Sequence, residues 1–181
     1  MKSRIFITFL SAVILFSCVS YQADAQTKVK RVKYNNTLSA NPIALMFGNF
    51  PITYEKALKG NNTVTCNFTY TGYDGWSGFN LGGSYRWYVL TTNKYKPNEG
   101  LSAGPTILFG YWGADSKLSN GNKSGFLVTL GAEAAYKMVI DKGFSIEPIV
   151  QINFPLKSKS VAPNIQNYKA FTLGVNLGYS W

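Results

Sequence analysis

The 181-residue sequence contains no histidine, only two cysteines and only eight acidic residues. Because histidine is the commonest general base and the commonest metal ligand, its absence excludes His-dependent catalysis and most metal centres. Charged side chains make up only 14% of the chain and hydrophobic ones 46%, a balance that excludes intrinsic disorder. We therefore expect one folded domain that holds no metal and no cofactor.

The first 25 residues have the pattern of a cleaved secretory signal. Lys2 and Arg4 precede an apolar run of fifteen residues, and Ala23-Asp24-Ala25 offers a cleavage site of the small-x-small type. The alternative is a lipobox that ends at Cys18, which would then carry the lipid. If residues 1–25 are removed, Cys66 is the only cysteine in the remaining chain, so no internal disulfide can form.

From about residue 41 onward, apolar residues recur with the period of two that is typical of strands. The last segment shows it most clearly, where apolar residues alternate with small or polar ones at Phe171, Leu173, Val175, Leu177, Tyr179 and Trp181. Five more strands are predicted in 63–71, 78–90, 100–113, 125–138 and 144–154. In 41–58 the apolar parity flips at 48–51, a Gly-Asn-Phe-Pro stretch, which predicts a tight hairpin joining two further strands.

Eight strands predict an all-β fold, an eight-stranded antiparallel up-and-down barrel in which both ends of the chain lie on one rim. The connections at 48–51, 72–77, 114–124 and 155–168 would lie on one rim, and those at 59–62, 91–99 and 139–143 on the other. The first rim carries the two longest connections, as expected for extracellular loops. Pro105 and Pro148 fall inside strands, and each predicts a bulge or kink because proline lacks the ladder donor.

The composition of the polar face decides which way the apolar face points. That face carries Gly, Thr, Ser, Asn and a few ions of both signs, which suits a cramped polar lumen. Aromatic residues near the strand ends suit the two interfacial girdles of a membrane barrel; they are Trp87, Tyr88, Trp112, Tyr136, Tyr168, Tyr179 and Trp181. We therefore expect a transmembrane barrel. The alternative is a soluble, secreted, lipocalin-like barrel that binds an apolar ligand.

Two sets of charged residues are candidate functional residues. The first set is predicted to form a polar network inside the lumen, and it comprises Glu55, Arg86, Glu133, Lys137 and Glu147. The second set would place positive charge on the outer rim, near lipopolysaccharide phosphates, or simply in solvated loops, and it comprises Lys117, Lys123, Lys157 and Lys159. A lipid A-modifying barrel enzyme is a further alternative, but its serine would need a base other than histidine, and no spacing singles one out.

Four segments resemble the small outer-membrane β-barrel proteins of Bacteroidetes, namely Asn41–Gly48, Ile52–Glu55, Tyr85–Tyr88 and Glu99–Pro105. The resemblance implies an eight-stranded barrel of the OmpX and OmpA-transmembrane-domain type in the bacterial outer membrane, with no catalytic residues. Trp181 matches the terminal signal that the barrel assembly machinery reads in such proteins. We expect a monomer with a structural or surface adhesion role, whose partners are membrane lipid, lipopolysaccharide and that machinery, and no nucleic acid.

These observations together predict three segments. Residues 1–25 form the cleaved signal peptide, residues 26–40 a basic, flexible periplasmic tail, and residues 41–181 the outer-membrane barrel domain.

Overall fold

A computed structural model describes residues 34–73, 76–91, 98–114, 124–156 and 170–181. The predicted signal peptide, and the predicted tail up to residue 33, lie outside the described residues. Eight strands, one short helix and one 3₁₀ turn make up the described chain: β1 (Asn36–Ala40), α1 (Pro42–Leu45), β2 (Asn49–Ala57), β3 (Asn62–Tyr73), β4 (Trp76–Thr91), β5 (Gly100–Ala114), β6 (Ser124–Val139), the 3₁₀ turn (Asp141–Gly143), β7 (Phe144–Pro155) and β8 (Ala170–Ser180).

The eight strands form one closed barrel in sequence order, and every neighbouring pair is antiparallel. The barrel closes where β1 pairs with β8, from Thr37 opposite Ser180 to Ala40 opposite Leu177. The predicted fold class is therefore confirmed. The six strands predicted after Asn62 each lie within two residues of the observed bounds, because alternation over nine or more residues is a strong strand signal.

The predicted start of the barrel is wrong. β1 lies at Asn36–Ala40, inside the segment predicted as tail. The stretch 43–47, predicted as a strand, instead forms α1 and a turn, and the predicted hairpin residues 49–51 begin β2. The local cause is a helix-start signal: the Asn41 side chain accepts a hydrogen bond from the Ala44 amide at 3.1 Å, and Pro42 occupies the first helical position.

The barrel is polar inside and apolar outside. The only buried hydrophobic residues of the described chain are Tyr88, Leu127 and Ala135, whereas Thr, Ser, Asn, Glu, Arg and Lys side chains dominate the buried set. On β8, outward-facing Phe171 and Tyr179 are 57% and 56% exposed, while Asn176 between them is buried. The soluble alternative requires an apolar interior and therefore does not fit this barrel.

The two strand prolines interrupt the hydrogen-bonded ladder without shifting its register. Between β4 and β5, the pairs Ser84–Thr106 and Trp87–Ala103 are formed, but the two positions between them, which include Pro105, are not paired. Between β6 and β7, the pairs Ala135–Ile149 and Met138–Ile146 are formed, but the two positions between them, which include Pro148, are not paired. The register shift of the β4–β5 pair comes later, between Tyr88 and Leu90, so this pair has no bulge at Pro105; the local kink that was the alternative there stays a prediction.

Candidate functional site: the interior ion cluster

Arg86, on β4, is the centre of a buried ion cluster inside the barrel. Its Nε donates to Glu133 Oε1 at 2.5 Å. Its Nη1 lies 3.2 Å from Glu55 Oε2 and 3.2 Å from each carboxylate oxygen of Glu147. The Arg86 side chain is 1% exposed, and those of its three carboxylate partners are 2–4% exposed. One guanidinium therefore contacts three carboxylates in a site that excludes most water.

Lys137, on β6, supplies the second positive charge of the cluster. Its Nζ forms an ion pair with Glu55 Oε2, lies 3.5 Å from Glu147 Oε2, and donates to Thr37 Oγ1 at 3.4 Å. The structure thus brings together all five residues of the predicted lumen network, with three carboxylates and two cations. We call these five residues the ion cluster.

Neutral side chains donate further hydrogen bonds to the three carboxylates. The Tyr88 hydroxyl donates to Glu55 Oε1 at 2.9 Å, Ser84 Oγ to Glu133 Oε1 at 2.5 Å, and Asn176 Nδ2 to Glu147 Oε1 at 3.0 Å. Because each buried carboxylate has a cation and at least one neutral donor, the desolvation cost of burying it is offset.

The ion cluster ties strands that are far apart in the barrel. The Lys137–Glu55 pair joins β6 to β2, which lie four strands apart in an eight-stranded wall and therefore face each other. The Arg86–Glu147 pair joins β4 to β7. Side chains that span the lumen from wall to wall fill it, as expected for a barrel of this strand number.

A layer of neutral polar side chains lies closer to the rim that carries α1. Thr106 Oγ1 donates to Asn153 Oδ1 at 3.1 Å, which joins β5 to β7. Thr65 and Ser84 hydroxyls lie 2.6 Å apart, so this layer is hydrogen-bonded to the ion cluster through Ser84. The lumen therefore changes along its axis from a charged half to a neutral half.

This barrel has the fold of a known bacterial surface protein. The crystal structure of Neisserial surface protein A aligns over 81% of this chain and 94% of its own, with a TM-score of 0.55 and 10% sequence identity. The backbone structure of the Yersinia pestis outer membrane protein Ail in a phospholipid bilayer nanodisc covers 82% of this chain and all of its own, with a TM-score of 0.49 and 14% identity. No protein-family model and no curated protein matches this chain.

The remaining predicted site residues divide into two groups. Lys117, Lys123, Lys157 and Lys159 lie outside the described residues. Trp181 follows β8, exchanges backbone hydrogen bonds with Asn36 and is 50% exposed. Its ring stacks on Tyr179 with centroids 6.3 Å apart and lies 6.5 Å from the ring of Tyr54, so three aromatic residues lie together on the outer face near the rim opposite α1.

The sequence prediction missed the neutral members of the site and misplaced two aromatic residues. Tyr88, assigned to an outer girdle, is 3% exposed and points inward with Arg86, two residues before it. Trp112 also occupies an inward-facing position of its strand, and its ring fills the space beside Gly78 and Gly110 that a side chain at either glycine would need. Parity with Arg86 could have identified Tyr88, whereas Ser84 and Asn176 resemble every other small polar residue of the inward face. Tyr168 lies outside the described residues.

The described residues include neither a metal site nor a membrane-spanning helix. No group of three or more His, Cys, Asp or Glu side chains among them could hold a metal ion. None of their helices is long and apolar enough to cross a membrane.

Proposed function

We propose that this chain is an integral outer-membrane β-barrel protein with a side-chain-filled lumen and a non-catalytic, structural or surface adhesion role. The observation that carries the proposal is the reversed polarity of the barrel, with an ion cluster inside and large apolar side chains outside. Water drives apolar side chains inward, whereas a bilayer accepts them on the outer face. A closed barrel also leaves no strand edge to meet hydrocarbon, apart from a gap between β8 and β2 where β1 ends early.

The height of the apolar band on β4 supports a bilayer as the surrounding medium. Phe79 and Trp87 are aromatic, face outward near the two ends of this band and are 47% and 48% exposed. They are eight residues apart, about 26 Å along a strand at roughly 3.3 Å per residue. A strand tilt of about 40° reduces this to about 20 Å, close to the apolar band of roughly 25 Å in outer-membrane barrels.

The cellular setting of the proposal draws on the fold comparison and the sequence. Neisserial surface protein A is by its name a surface protein, and its likeness supports the cell surface as the location. The assignment to Bacteroidetes rests on the four sequence segments that resemble barrels of that group. On this proposal the chain is a monomer without a nucleic-acid partner, made with a cleaved signal. Its rim lysines would face lipopolysaccharide phosphates, and Trp181 would be read by the barrel assembly machinery.

The enzyme alternative gains little from the one serine–carboxylate contact of the site. Ser84 Oγ donates to Glu133 Oε1, but the same oxygen accepts from Arg86 Nε, and Ser84 is only 5% exposed. The Glu133 oxygen is thus already paired with arginine, and a buried hydroxyl is out of a lipid's reach. The contact is therefore better explained as part of the lumen's hydrogen-bond network.

A pair of leucine substitutions tests the membrane proposal. Leu173 lies on the outer face of β8 and Leu58 in the connection after β2, and they are 49% and 42% exposed. We expect Leu173→Arg to cost about 2–4 kcal/mol of folding free energy in a bilayer, because the charge meets hydrocarbon. Leu58→Arg should change it by less than about 0.5 kcal/mol, since a surface residue of a connection meets water. Urea unfolding in lipid vesicles measures both.

The same pair separates a membrane barrel from a soluble one. In a soluble protein both leucines are exposed to water, so the two arginine variants would be equally stable. Equal unfolding free energies would therefore overturn the proposal.

A further inference from the structure

The barrel wall has a gap where β1 ends early. β1 stops at Ala40, opposite Leu177 of β8 and Ile52 of β2. β8, however, extends back to Ala170, and β2 begins at Asn49. Within the described residues, no strand therefore lies between the first half of β8 and the first three residues of β2. We call this part of the wall, between Phe171–Val175 and Asn49–Pro51, the seam.

The backbone of β8 points hydrogen-bonding groups into the seam. Trp181 and Asn36 exchange both backbone hydrogen bonds, at 2.9 and 3.0 Å. Because this direction repeats every second residue in an antiparallel ladder, Val175, Leu173 and Phe171 turn their N–H and C=O groups toward the seam. Such groups are costly in hydrocarbon, so the seam needs a cover if the barrel spans a membrane.

The other edge of the seam carries a proline. The Ala57 amide donates to Asn35 O at 2.7 Å, so the same two-residue repeat turns Pro51 toward the seam. Because proline has no N–H, residue 51 presents no hydrogen-bond donor to the seam. The backbone N–H that would be left unpaired just beyond the end of the β1–β2 ladder is therefore absent.

Helix α1 covers the seam, since it contacts both β2 and β8. Asn41, at its start, is 5% exposed, and its side-chain amide occupies the space that a Cβ on Gly174 of β8 would need. The outer surface of α1 and its turn is apolar: Ile43 is 39%, Leu45 44%, Met46 82% and Phe47 64% exposed. The cover is therefore held by a polar side chain on the lumen side and presents apolar side chains on the other.

The composition of this connection differs from that of every other one in the barrel. Consecutive strands are joined by seven connections, and residues 41–48 form the only one without a charged residue. Charge is absent over the whole stretch from Tyr34 to Tyr54, and from Ala170 to Trp181 on the other edge of the seam. A connection that lies in water normally carries charged or polar residues, as the other six do.

We propose that α1 and the turn after it, residues 42–48, are a lipid-docking surface that seals the seam against the acyl chains of the bilayer. The proposal rests on the proposed membrane location. The partner of this surface is lipid hydrocarbon, because the outward-facing side chains that flank the seam, Phe50 and Phe171, are also apolar and are 46% and 57% exposed.

Spin-label accessibility in phosphatidylcholine vesicles tests the proposal. Single cysteines are introduced at Ile43 and Met46 in a background with Cys18→Ser and Cys66→Ser, and each carries a nitroxide. Collisions with oxygen report hydrocarbon, and collisions with a water-soluble nickel chelate report water. Leu173→Cys is the control for the barrel's outer face, and Lys59→Cys, in an exposed connection on the opposite rim, is the control for water.

We expect the labels at Ile43 and Met46 to be as inaccessible to the nickel chelate as the label at Leu173, and as accessible to oxygen. Nickel accessibility equal to that of Lys59, with Leu173 still in lipid, would overturn the docking surface and leave the membrane proposal intact. Loss of both accessibilities would mean that a second copy of the chain covers α1, which also overturns it. A water-accessible Leu173 would overturn the membrane proposal itself.

Discussion

Arg86 is the residue on which the ion cluster depends most. It contacts all three carboxylates, whereas Lys137 contacts two of them. The cluster already holds one more carboxylate than cation, so Arg86 has no substitute if it is removed. A buried ion pair adds little net stability over apolar packing, but breaking one leaves a charge without compensation. Removal of Arg86 should therefore lower the stability of the barrel by more than the ion pairs of Arg86 add to it over apolar packing.

The substitution Arg86→Ala tests how far the barrel depends on this residue. We expect it to lower the free energy of unfolding in vesicles by about 3–5 kcal/mol, because Glu133 and Glu147 lose their main counter-charge. Lys59→Ala, which removes an exposed cation, should change it by less than about 0.5 kcal/mol. Adding Glu133→Gln to Arg86→Ala should restore part of the loss, since it removes one of the uncompensated charges. Equal stability of Arg86→Ala and the parent would show that the cluster is not structural.

The sequence was informative about residues that carry charge and uninformative about their neutral partners. Ions are sparse along the strands, so parity alone placed Arg86 and Lys137 on the inward face. Ser84 and Asn176 could not be singled out, because small polar residues fill that face and only three-dimensional proximity distinguishes those that reach a carboxylate.

At the scale of single strands, Gly104 of β5 lies against the backbone of β4 beside the ion cluster. A Cβ added to Gly104 of β5 would collide with the Tyr85 carbonyl oxygen and approach the Arg86 Cα. Pro105 follows directly, and the ladder is interrupted at the same place. The glycine therefore lets the two backbones approach where proline has removed a cross-strand bond.

The element-scale prediction compares two glycines of β5. We expect Gly104→Ala to destabilise the barrel by about 1–3 kcal/mol, because backbone must move to admit the methyl group. Gly113→Ala on the same strand should be nearly neutral, since its Cβ would meet only Ser124 Cβ, at 3.9 Å. Urea unfolding in vesicles compares the two variants. A cost at Gly113 as large as that at Gly104 would mean that strand glycines matter for flexibility and not for spacing.

The elements that the sequence failed to predict are the short ones. The alternation in β3 to β8 extends over nine or more residues and gave their bounds closely. β1 has five residues beside a basic segment, too few for alternation to stand out. The apolar residues of 43–47 then suggested a strand, whereas their outward exposure comes from a helical turn that Asn41 caps.

At the scale of the whole molecule, closure and cross-lumen ties should make unfolding slow. The ladder returns from β8 to β1, and the Lys137–Glu55 pair links facing walls, so no strand can leave without breaking several contacts. In the proposed membrane location, detergent can replace lipid on the outer face without touching these interior contacts. We therefore expect resistance to detergent at room temperature, which is a property of the unfolding rate.

The whole-molecule prediction is a heat-dependent change of mobility in denaturing gel electrophoresis. Protein recovered from the outer-membrane fraction should migrate as a folded barrel when unboiled and shift to the unfolded position after boiling. Arg86→Ala should shift at a lower temperature than the parent, because its interior is already weakened, whereas Lys59→Ala should shift with the parent. A protein found in the soluble fraction, with one mobility at all temperatures, would contradict both the membrane location and the slow unfolding of the barrel.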